Sequence, residues 1–150
     1  KSPIRPLSLA LTSGATYIAR TAAVNPNQAK EIIKEAIEHD GFAHIDFLTQ
    51  CPTWNKDARQ YVPYIDVQES DDYDFDTSSR REAQEMMTKT EEKLYEGEVL
   101  TGRYYVDDES VSYQQQKQDI GEMPTEPLAE RYFDDDYEWE RSYDLLDRHK

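Results

Sequence analysis

Cysteine and long apolar runs are scarce in this chain of 150 residues. It has one cysteine, which excludes an internal disulfide and gives no indication of an oxidising compartment. No apolar run approaches the roughly 18 residues that a membrane-spanning helix needs, and no signal peptide is visible. We therefore predict a cytoplasmic protein with no membrane partner. Because the sequence begins at Lys1 and not at Met, we expect it to be part of a longer protein.

Positive charge is also scarce, since 17 lysines and arginines stand against 32 aspartates and glutamates and the net charge is -15. A phosphate backbone requires a basic stripe, and the sequence has none, which argues against a nucleic-acid partner. The excess of acid is compatible with a disordered or strongly solvated tail. It is also typical of proteins from halophiles, in which salt screens the self-repulsion. We favour the halophile interpretation.

Apolar residues are concentrated in the first third of the chain, where they predict alternating elements. Residues 6–12 predict a short helix that begins at a proline, and residues 15–20 predict a strand. Asn25-Pro26 begins a helix with an apolar face, and residues 42–48 predict a second strand, buried on both faces. Strand, helix and strand in this order predict a βαβ unit with parallel pairing, and hence an α/β fold.

The rest of the chain divides into two predicted parts after a first part of residues 1–65. Residues 66–113 predict an acidic loop, a helix that begins at a Ser79/Glu82 capping box and ends near Gly97, and a last strand over residues 99–106. Residues 114–150 predict an acidic tail, irregular or helical. Tyr132, Trp139 and Tyr143 fall at roughly helical spacing there, which indicates either a helix that docks on a partner subunit or a solvated tail.

The segment that follows the second predicted strand contains the candidate site. Functional residues of open parallel sheets lie at the carboxyl ends of strands, and Cys51 is at such an end. From its residue type alone, a buried and inert thiol is the more common role. Asp46 and Asn55 flank this turn and are candidates for lining a pocket, although turn hydrogen bonds explain them as well. Arg20 ends the first strand, where we expect a surface ion pair.

None of the three histidines is predicted to be catalytic. His44 lies within a strand and has no second His or Cys at ligand spacing, so a packed or half-exposed ring is expected. His39 ends a helix, where a partly positive ring suits the helix dipole. His149 lies in the acidic tail.

Three segments resemble one protein family in the same order and with matching gaps. Residues 6–20, PLSLALTSGATYIAR, are similar to its "PLALALASGATFVAR"; residues 33–42, IKEAIEHDGF, to "IKEAIEHKGF"; and residues 51–55, CPTWN, to "PCPTYN". Residues 100–105, LTGRYY, are more weakly similar to its "TGVFY". The family is that of the beta subunits of 2-oxoacid:ferredoxin oxidoreductases, and the resemblance covers residues 1 to about 113.

The resemblance implies a thiamine-diphosphate-binding α/β fold, of which residues 1–65 are the carboxy-terminal part. Members of the family carry thiamine diphosphate, Mg²⁺ and a [4Fe-4S] cluster, and they form heteromers with an alpha subunit. They decarboxylate a 2-oxoacid oxidatively, form an acyl-coenzyme A and pass electrons to ferredoxin, with the cofactors supplying the difficult chemistry. Pyruvate is our first expectation for the substrate of this protein, and 2-oxoglutarate is the second.

The same resemblance implies that Cys51 gives a thiolate to the cluster, which is commonly bound by four. Pro52 restricts Cys51 to extended geometry, and Thr53 and Trp54 are expected to pack over the cluster. The family's Gly-Asp-Gly motif and its other three cluster cysteines are absent from this sequence. This chain alone should therefore hold neither cofactor. Two alternatives remain: a non-catalytic acidic α/β interaction protein, and a thiamine-dependent decarboxylase without a cluster.

Overall fold

A computed structural model gives the fold of residues 4–49, residue 53 and residues 64–119. These residues form helices and strands in two compact units, divided after Ser112. Within the same ranges, no helix has the length and apolar character needed to cross a membrane. The elements are α1 (Pro6–Thr12), β1 (Tyr17–Ala22), α2 (Pro26–Glu38), β2 (Ala43–Leu48), β3 (Tyr64–Asp66), α3 (Arg80–Glu96), β4 (Val99–Val106) and, in the second unit, α4 (Tyr113–Asp119).

The four strands form one mixed sheet in the order β2-β1-β4-β3. β1 and β2 are parallel and are joined by α2, which confirms the predicted βαβ unit and the α/β class. β4 runs antiparallel to β1 on its other side, and β3 runs parallel to β4. The three-residue strand β3 was not predicted. It lies where the sequence indicated only the approach to an acidic loop.

Helices cover both faces of the central strand β1, all six residues of which are buried. On one face, Tyr17 and Ala19 pack against Ile32 of α2. On the other face, Ile18 belongs to the main core, to which α1 and α3 contribute. The buried residues of that core are Leu7, Ala10, Leu11, Ala15, Ile18, Val67, Ala83, Met86, Met87, Leu100, Tyr104 and Tyr105.

Strand β2 is less buried than predicted. Five of its residues are only half-buried and Phe47 is 41% exposed, so the expectation of a strand buried on both faces is wrong for this chain. The reason is its position, because β2 is the outermost strand on one side of the sheet that the described residues form. An apolar strand sequence was correctly identified, but its burial depends on neighbours that the described part of the chain does not supply.

The start of α3 follows the predicted signal in part. The Ser79 side chain accepts a hydrogen bond from the backbone N–H of Glu82, as an N-cap does. The return bond of a capping box is absent here, because the Glu82 carboxylate accepts from the backbone N–H of Asp76 instead, at 2.9 Å. The helix ends at Gly97, which has a φ of 87° and closes the last turn in the left-handed region.

The described residues include only the first part of the predicted tail. Helix α4 occupies Tyr113–Asp119, at the start of the tail that was predicted to be irregular or helical. The predicted docking helix around Tyr132, Trp139 and Tyr143 lies outside the described residues.

Candidate functional site

The parallel strands β1 and β2 end together at one edge of the sheet. Ala22 lies opposite Leu48 in the ladder, and the backbone N–H of Ala23 donates to the Leu48 carbonyl at 2.9 Å. Cys51 follows Leu48 by three positions but lies outside the described residues, as do Trp54 and Asn55. Thr53 is an exposed turn residue. The structure therefore fixes the strand ends that precede the candidate segment.

A buried ion pair joins the two strands close to this edge. Arg20 of β1 and Asp46 of β2 are register partners, and Nε and Nη2 of Arg20 lie 2.8 Å and 2.7 Å from Asp46 Oδ2. The predicted acidic partner of Arg20 is present, but the expected surface pair is wrong, because the Arg20 side chain is only 2% exposed. Arg20 shares the strand face of Ile18, which the α1 and α3 side of the core covers.

Glu91 of α3 brings a further buried charge to this part of the core. Its burial raises the pKa of the carboxyl, while Arg5 and Arg20 partly offset this effect and Asp46 adds to it. Arg5 Nε lies 3.1 Å from Glu91 Oε2. Neither Glu91 oxygen, nor Arg20 Nη1, has an aligned hydrogen-bond partner within the described part of the chain.

Glu91 was not identified from the sequence, although a signal was present. It stands four residues after Met87 and eight after Ala83, both of which are fully buried on the inner face of α3. Leu94, three residues further along α3, is 36% exposed. Helical spacing therefore places Glu91 on the inner face of α3, although its charge argues against burial.

A second polar network lies on the α2 face of the sheet. The Thr21 hydroxyl donates to Gln28 Oε1 at 3.0 Å, and Gln28 Nε2 donates to Asp66 Oδ2 at 2.7 Å and to Thr101 Oγ1 at 3.0 Å. One glutamine amide thus connects α2 to three strands. The network borders an open cavity of about 510 Å³ that Asn25 and Arg103 also line. Sequence reasoning missed it because it depends on β3.

Two of the three histidines lie within the described residues, and His149 does not. His39 Nε2 lies 2.9 Å from Thr16 Oγ1 and 3.2 Å from Ser110 Oγ, which places the ring in a hydroxyl network after α2. His44 is half-buried in β2.

The described residues contain no group of three or more His, Cys, Asp or Glu side chains placed to hold a metal ion. With one cysteine, the whole chain can give at most one thiolate to a cluster that commonly needs four. The residues present fit one ligand of such a centre and no more.

Sequence comparison connects the chain to a set of named proteins, although no family model matches it. It is 52% identical over 54 residues to a 2-oxoacid:ferredoxin oxidoreductase subunit beta from Saccharolobus solfataricus, covering 36% of this chain and 18% of that protein. It is 40% identical over 74 residues to the subunit beta of a 2-oxoacid:ferredoxin oxidoreductase from Aeropyrum pernix, covering 46% and 24%. A 2-oxoglutarate synthase subunit KorB from Methanocaldococcus jannaschii is 44% identical over 46 residues, covering 31% and 17%. The matched segments span about a fifth of the length of these curated relatives.

The fold is similar to that of a solved enzyme. A 2-oxoglutarate:ferredoxin oxidoreductase from Magnetococcus marinus, with 2-oxoglutarate, coenzyme A and succinyl-CoA bound, superposes with a TM-score of 0.64 and 29% sequence identity, covering 87% of this chain and 44% of that one. Sequence and fold thus agree with the resemblance first seen in residues 6–20, 33–42 and 51–55. By both measures, the chain is similar to part of the beta subunits of the 2-oxoacid:ferredoxin oxidoreductases.

Proposed function

We propose that the protein containing this chain is the beta subunit of an oxidoreductase that decarboxylates a 2-oxoacid, forms an acyl-coenzyme A and reduces ferredoxin. The observation that carries this proposal is the homology of the chain to such beta subunits, together with the β1-α2-β2 unit that ends just before Cys51. An alpha subunit, ferredoxin and coenzyme A are its proposed partners, and the cytoplasm is its proposed location.

The substrate proposal changes in the light of the relatives. Pyruvate was the first expectation from the resemblance alone. Several relatives are named as 2-oxoglutarate synthases, and the solved neighbour contains 2-oxoglutarate and succinyl-CoA. We therefore give 2-oxoglutarate the first place among the 2-oxoacids to be tested, and pyruvate the second.

Thiamine diphosphate with Mg²⁺ and a [4Fe-4S] cluster are the proposed cofactors of the complete enzyme, where they supply the decarboxylation and electron-transfer chemistry. For this chain we propose one direct contribution, the thiolate of Cys51. The remaining cluster ligands and the diphosphate site would come from residues outside it. The covering role of Thr53 and Trp54 over the cluster stays a prediction.

In this proposal, the described residues position the segment that contains Cys51. The Leu48–Ala23 hydrogen bond and the Arg20–Asp46 pair both tie the end of β2 to β1. A strand that is held at its end fixes where the next residues of the chain start, and metal ligands depend on such support. Arg20 and Asp46 are therefore positioning residues in this proposal.

The test uses the complete enzyme, purified without oxygen, and compares Cys51→Ser with Thr49→Ser, an exposed neighbour that has no proposed role. We expect the parent protein and Thr49→Ser to be brown and to contain iron and sulfide, because the cluster keeps its thiolates. We expect Cys51→Ser to bleach or to become sharply more sensitive to oxygen. Visible absorbance, electron paramagnetic resonance and iron content provide the measurement.

Three outcomes contradict the proposal in different ways. An unchanged cluster in Cys51→Ser removes the ligand role. A complete protein that binds thiamine diphosphate but no iron favours the cluster-free decarboxylase. A complete protein that binds neither, and reduces no ferredoxin with 2-oxoglutarate or pyruvate in the presence of coenzyme A, favours the acidic interaction protein.

A further inference from the structure

Charged side chains from four elements meet on the α1 and α3 side of the sheet. Arg5 precedes α1, Arg20 lies on β1, Asp46 on β2 and Glu91 on α3. They form two ion pairs, since Arg20 Nη2 lies 2.7 Å from Asp46 Oδ2 and Arg5 Nε lies 3.1 Å from Glu91 Oε2. Arg5 is 53% exposed, and the other three side chains are largely buried. Two positive and two negative charges thus share this region, and we name the four residues the charge network.

The two ion pairs leave complementary groups unused. Within the described ranges, Arg20 Nη1 and both Glu91 oxygens are buried and have no aligned hydrogen-bond partner. Burial raises the pKa of the Glu91 carboxyl and the Arg20 charge lowers it, so the two side chains are close enough to interact. A buried N–H and a buried carboxylate without partners are each costly, and each of these groups can relieve the other.

We propose that Arg20 bridges Asp46 and Glu91. Through this bridge, Glu91 is a positioning residue for the segment that contains Cys51. A guanidinium carries five N–H donors in a rigid fork, so it can hold carboxylates on two sides. Nε and Nη2 already contact Asp46. Nη1 is then the donor to Glu91, directly or through one bridging water.

The bridge ties helix α3 to the end of β2. Asp46 lies two residues before Leu48, whose carbonyl accepts from the backbone N–H of Ala23. Arg5 holds Glu91 from the solvent side. The charge network therefore supports the last residues of β2 from the helix layer. This role of Glu91 rests on the proposed function, because it acts on the position of a ligand of the iron–sulfur cluster.

The first measurement follows the iron–sulfur cluster in the complete enzyme, purified without oxygen. Glu91→Gln keeps the size of the side chain and removes its charge, and Glu92→Gln makes the same change at an exposed neighbour on α3. We expect Glu91→Gln to lose iron to a chelator about 10-fold faster than the parent, because residues that orient a metal ligand commonly affect metal binding by such a factor. Its reduced cluster should also give an altered electron paramagnetic resonance spectrum. Glu92→Gln should match the parent in both respects.

A second variant acts on the exposed side of the charge network. Arg5→Gln should change iron loss in the same direction as Glu91→Gln but by less, since Glu91 then loses only its outer partner. Because Arg5 is half-exposed, its replacement leaves the core intact and decides the question even if Glu91→Gln does not fold.

A second measurement is independent of iron. Hydrogen exchange, followed by peptide mass spectrometry, compares the strand end around Ala23 with helix α2, which packs on the opposite face of the sheet. We expect roughly 10-fold faster exchange at the strand end in Glu91→Gln and unchanged exchange in α2, because local opening is confined to the region that loses its support.

The route through Arg20 has its own control. In the Arg20→Met/Asp46→Leu background the bridge is already absent, so adding Glu91→Gln should change the rate of iron loss by less than about 2-fold. A further effect as large as in the parent background would show that Glu91 acts by another route.

Two other results would overturn the proposal. Equal iron loss and equal exchange in Glu91→Gln and Glu92→Gln would show that Glu91 positions nothing. Exchange that is faster to the same extent at the strand end and in α2 would show a general loss of stability, as expected of an ordinary buried charge. A parent enzyme without iron contradicts the proposed function instead, and the exchange measurement then still decides whether Glu91 holds the end of β2.

Discussion

Among single side chains, Arg20 and Asp46 make the contact on which the strand ends depend most. The two charges are almost fully desolvated on the Arg20 side, and two guanidinium nitrogens contact one carboxylate oxygen. Burying such a pair is costly, but removing one partner is worse, because the other charge then remains buried without compensation. The pair therefore acts as a positional constraint more than as a source of stability.

This reasoning gives a prediction for Arg20→Met, with Arg81→Met as its control. Arg81 forms a solvent-exposed pair with Glu85 on α3, so its loss should cost at most ~0.5 kcal/mol of unfolding free energy. Arg20→Met should cost about 3–5 kcal/mol, because Asp46 keeps an unpaired charge. Urea denaturation followed by circular dichroism measures both. The double variant Arg20→Met/Asp46→Leu should recover much of the loss. Equal costs for the two single variants would show that Arg20 is not buried as described.

Residue patterns predicted the partner of Arg20 but not its surroundings. An arginine at a strand end commonly meets a carboxylate, and this much follows from composition. Whether the pair is buried depends on which helices cover that face, and α3 comes from more than 60 positions later in the chain. Glu91 went unnoticed for the same reason.

Beside β4, the side chain of Gln68 makes hydrogen bonds of the kind that a neighbouring strand would make. Gln68 Nε2 donates to the Arg103 carbonyl and Arg103 N–H donates to Gln68 Oε1, each at 2.7 Å. These two bonds continue the ladder beyond Asp66, where β3 ends. Gly102 permits the close approach, since its φ is 124° and a Cβ there would meet Gln68 Oε1 and Val67 Cγ2.

Gly102→Ala should therefore destabilise the chain more than Gly97→Ala. Both glycines have a positive φ, but a Cβ at Gly97 would meet nothing within 4 Å. Gly97→Ala should cost about 1 kcal/mol, from backbone strain alone. Gly102→Ala should cost about 3 kcal/mol, because the amide of Gln68 must also move. Unfolding free energies from urea titration measure the difference. If the two costs are the same, the contact between Gln68 and β4 does not constrain this position.

At the level of elements, short sequence patterns predicted the helices and strands that depend on interactions between neighbouring residues. The Asn25-Pro26 start and an apolar face predicted α2, a face made by Ala29, Ile32, Ile33, Ala36 and Ile37. Ala29 and Ile32 are buried as expected, whereas Ile33 and Ile37 are exposed. Strand β3 was missed because three residues show no period, and the strand it pairs with, β4, is about 35 positions away in the sequence. The antiparallel placement of β4 beside β1 is likewise a long-range outcome that no short segment indicates.

For the molecule as a whole, the net charge of -15 is the main determinant of how stability depends on salt. Two salt effects oppose each other in such a chain. Salt weakens exposed pairs such as Arg81–Glu85 and Lys93–Glu96, which are worth little individually. It also screens the repulsion among the excess carboxylates, and this repulsion grows with net charge. We expect the screening of the repulsion among carboxylates to dominate.

The corresponding prediction concerns stability in KCl. Raising KCl from about 0.1 M to about 1 M shortens the screening length from roughly 10 Å to roughly 3 Å, so the unfolding free energy should rise, by on the order of 1 kcal/mol. Urea titrations at the two salt concentrations measure this change, and equal m-values would show that the unfolded state is comparable. A decrease in stability with salt would argue against the halophile interpretation.

The position of the end of β2 limits where a metal centre bound by Cys51 can lie. β3 runs opposite to β2, so Leu48, the last residue of β2, and Tyr64, the first residue of β3, lie at the same end of the strands. Cys51 is three residues from Leu48, and a fully extended chain of that length reaches about 11 Å. The Cα atom of Cys51 therefore lies within this distance of Leu48, and an iron atom bound to the thiolate would lie within the additional length of the side chain and the Fe–S bond.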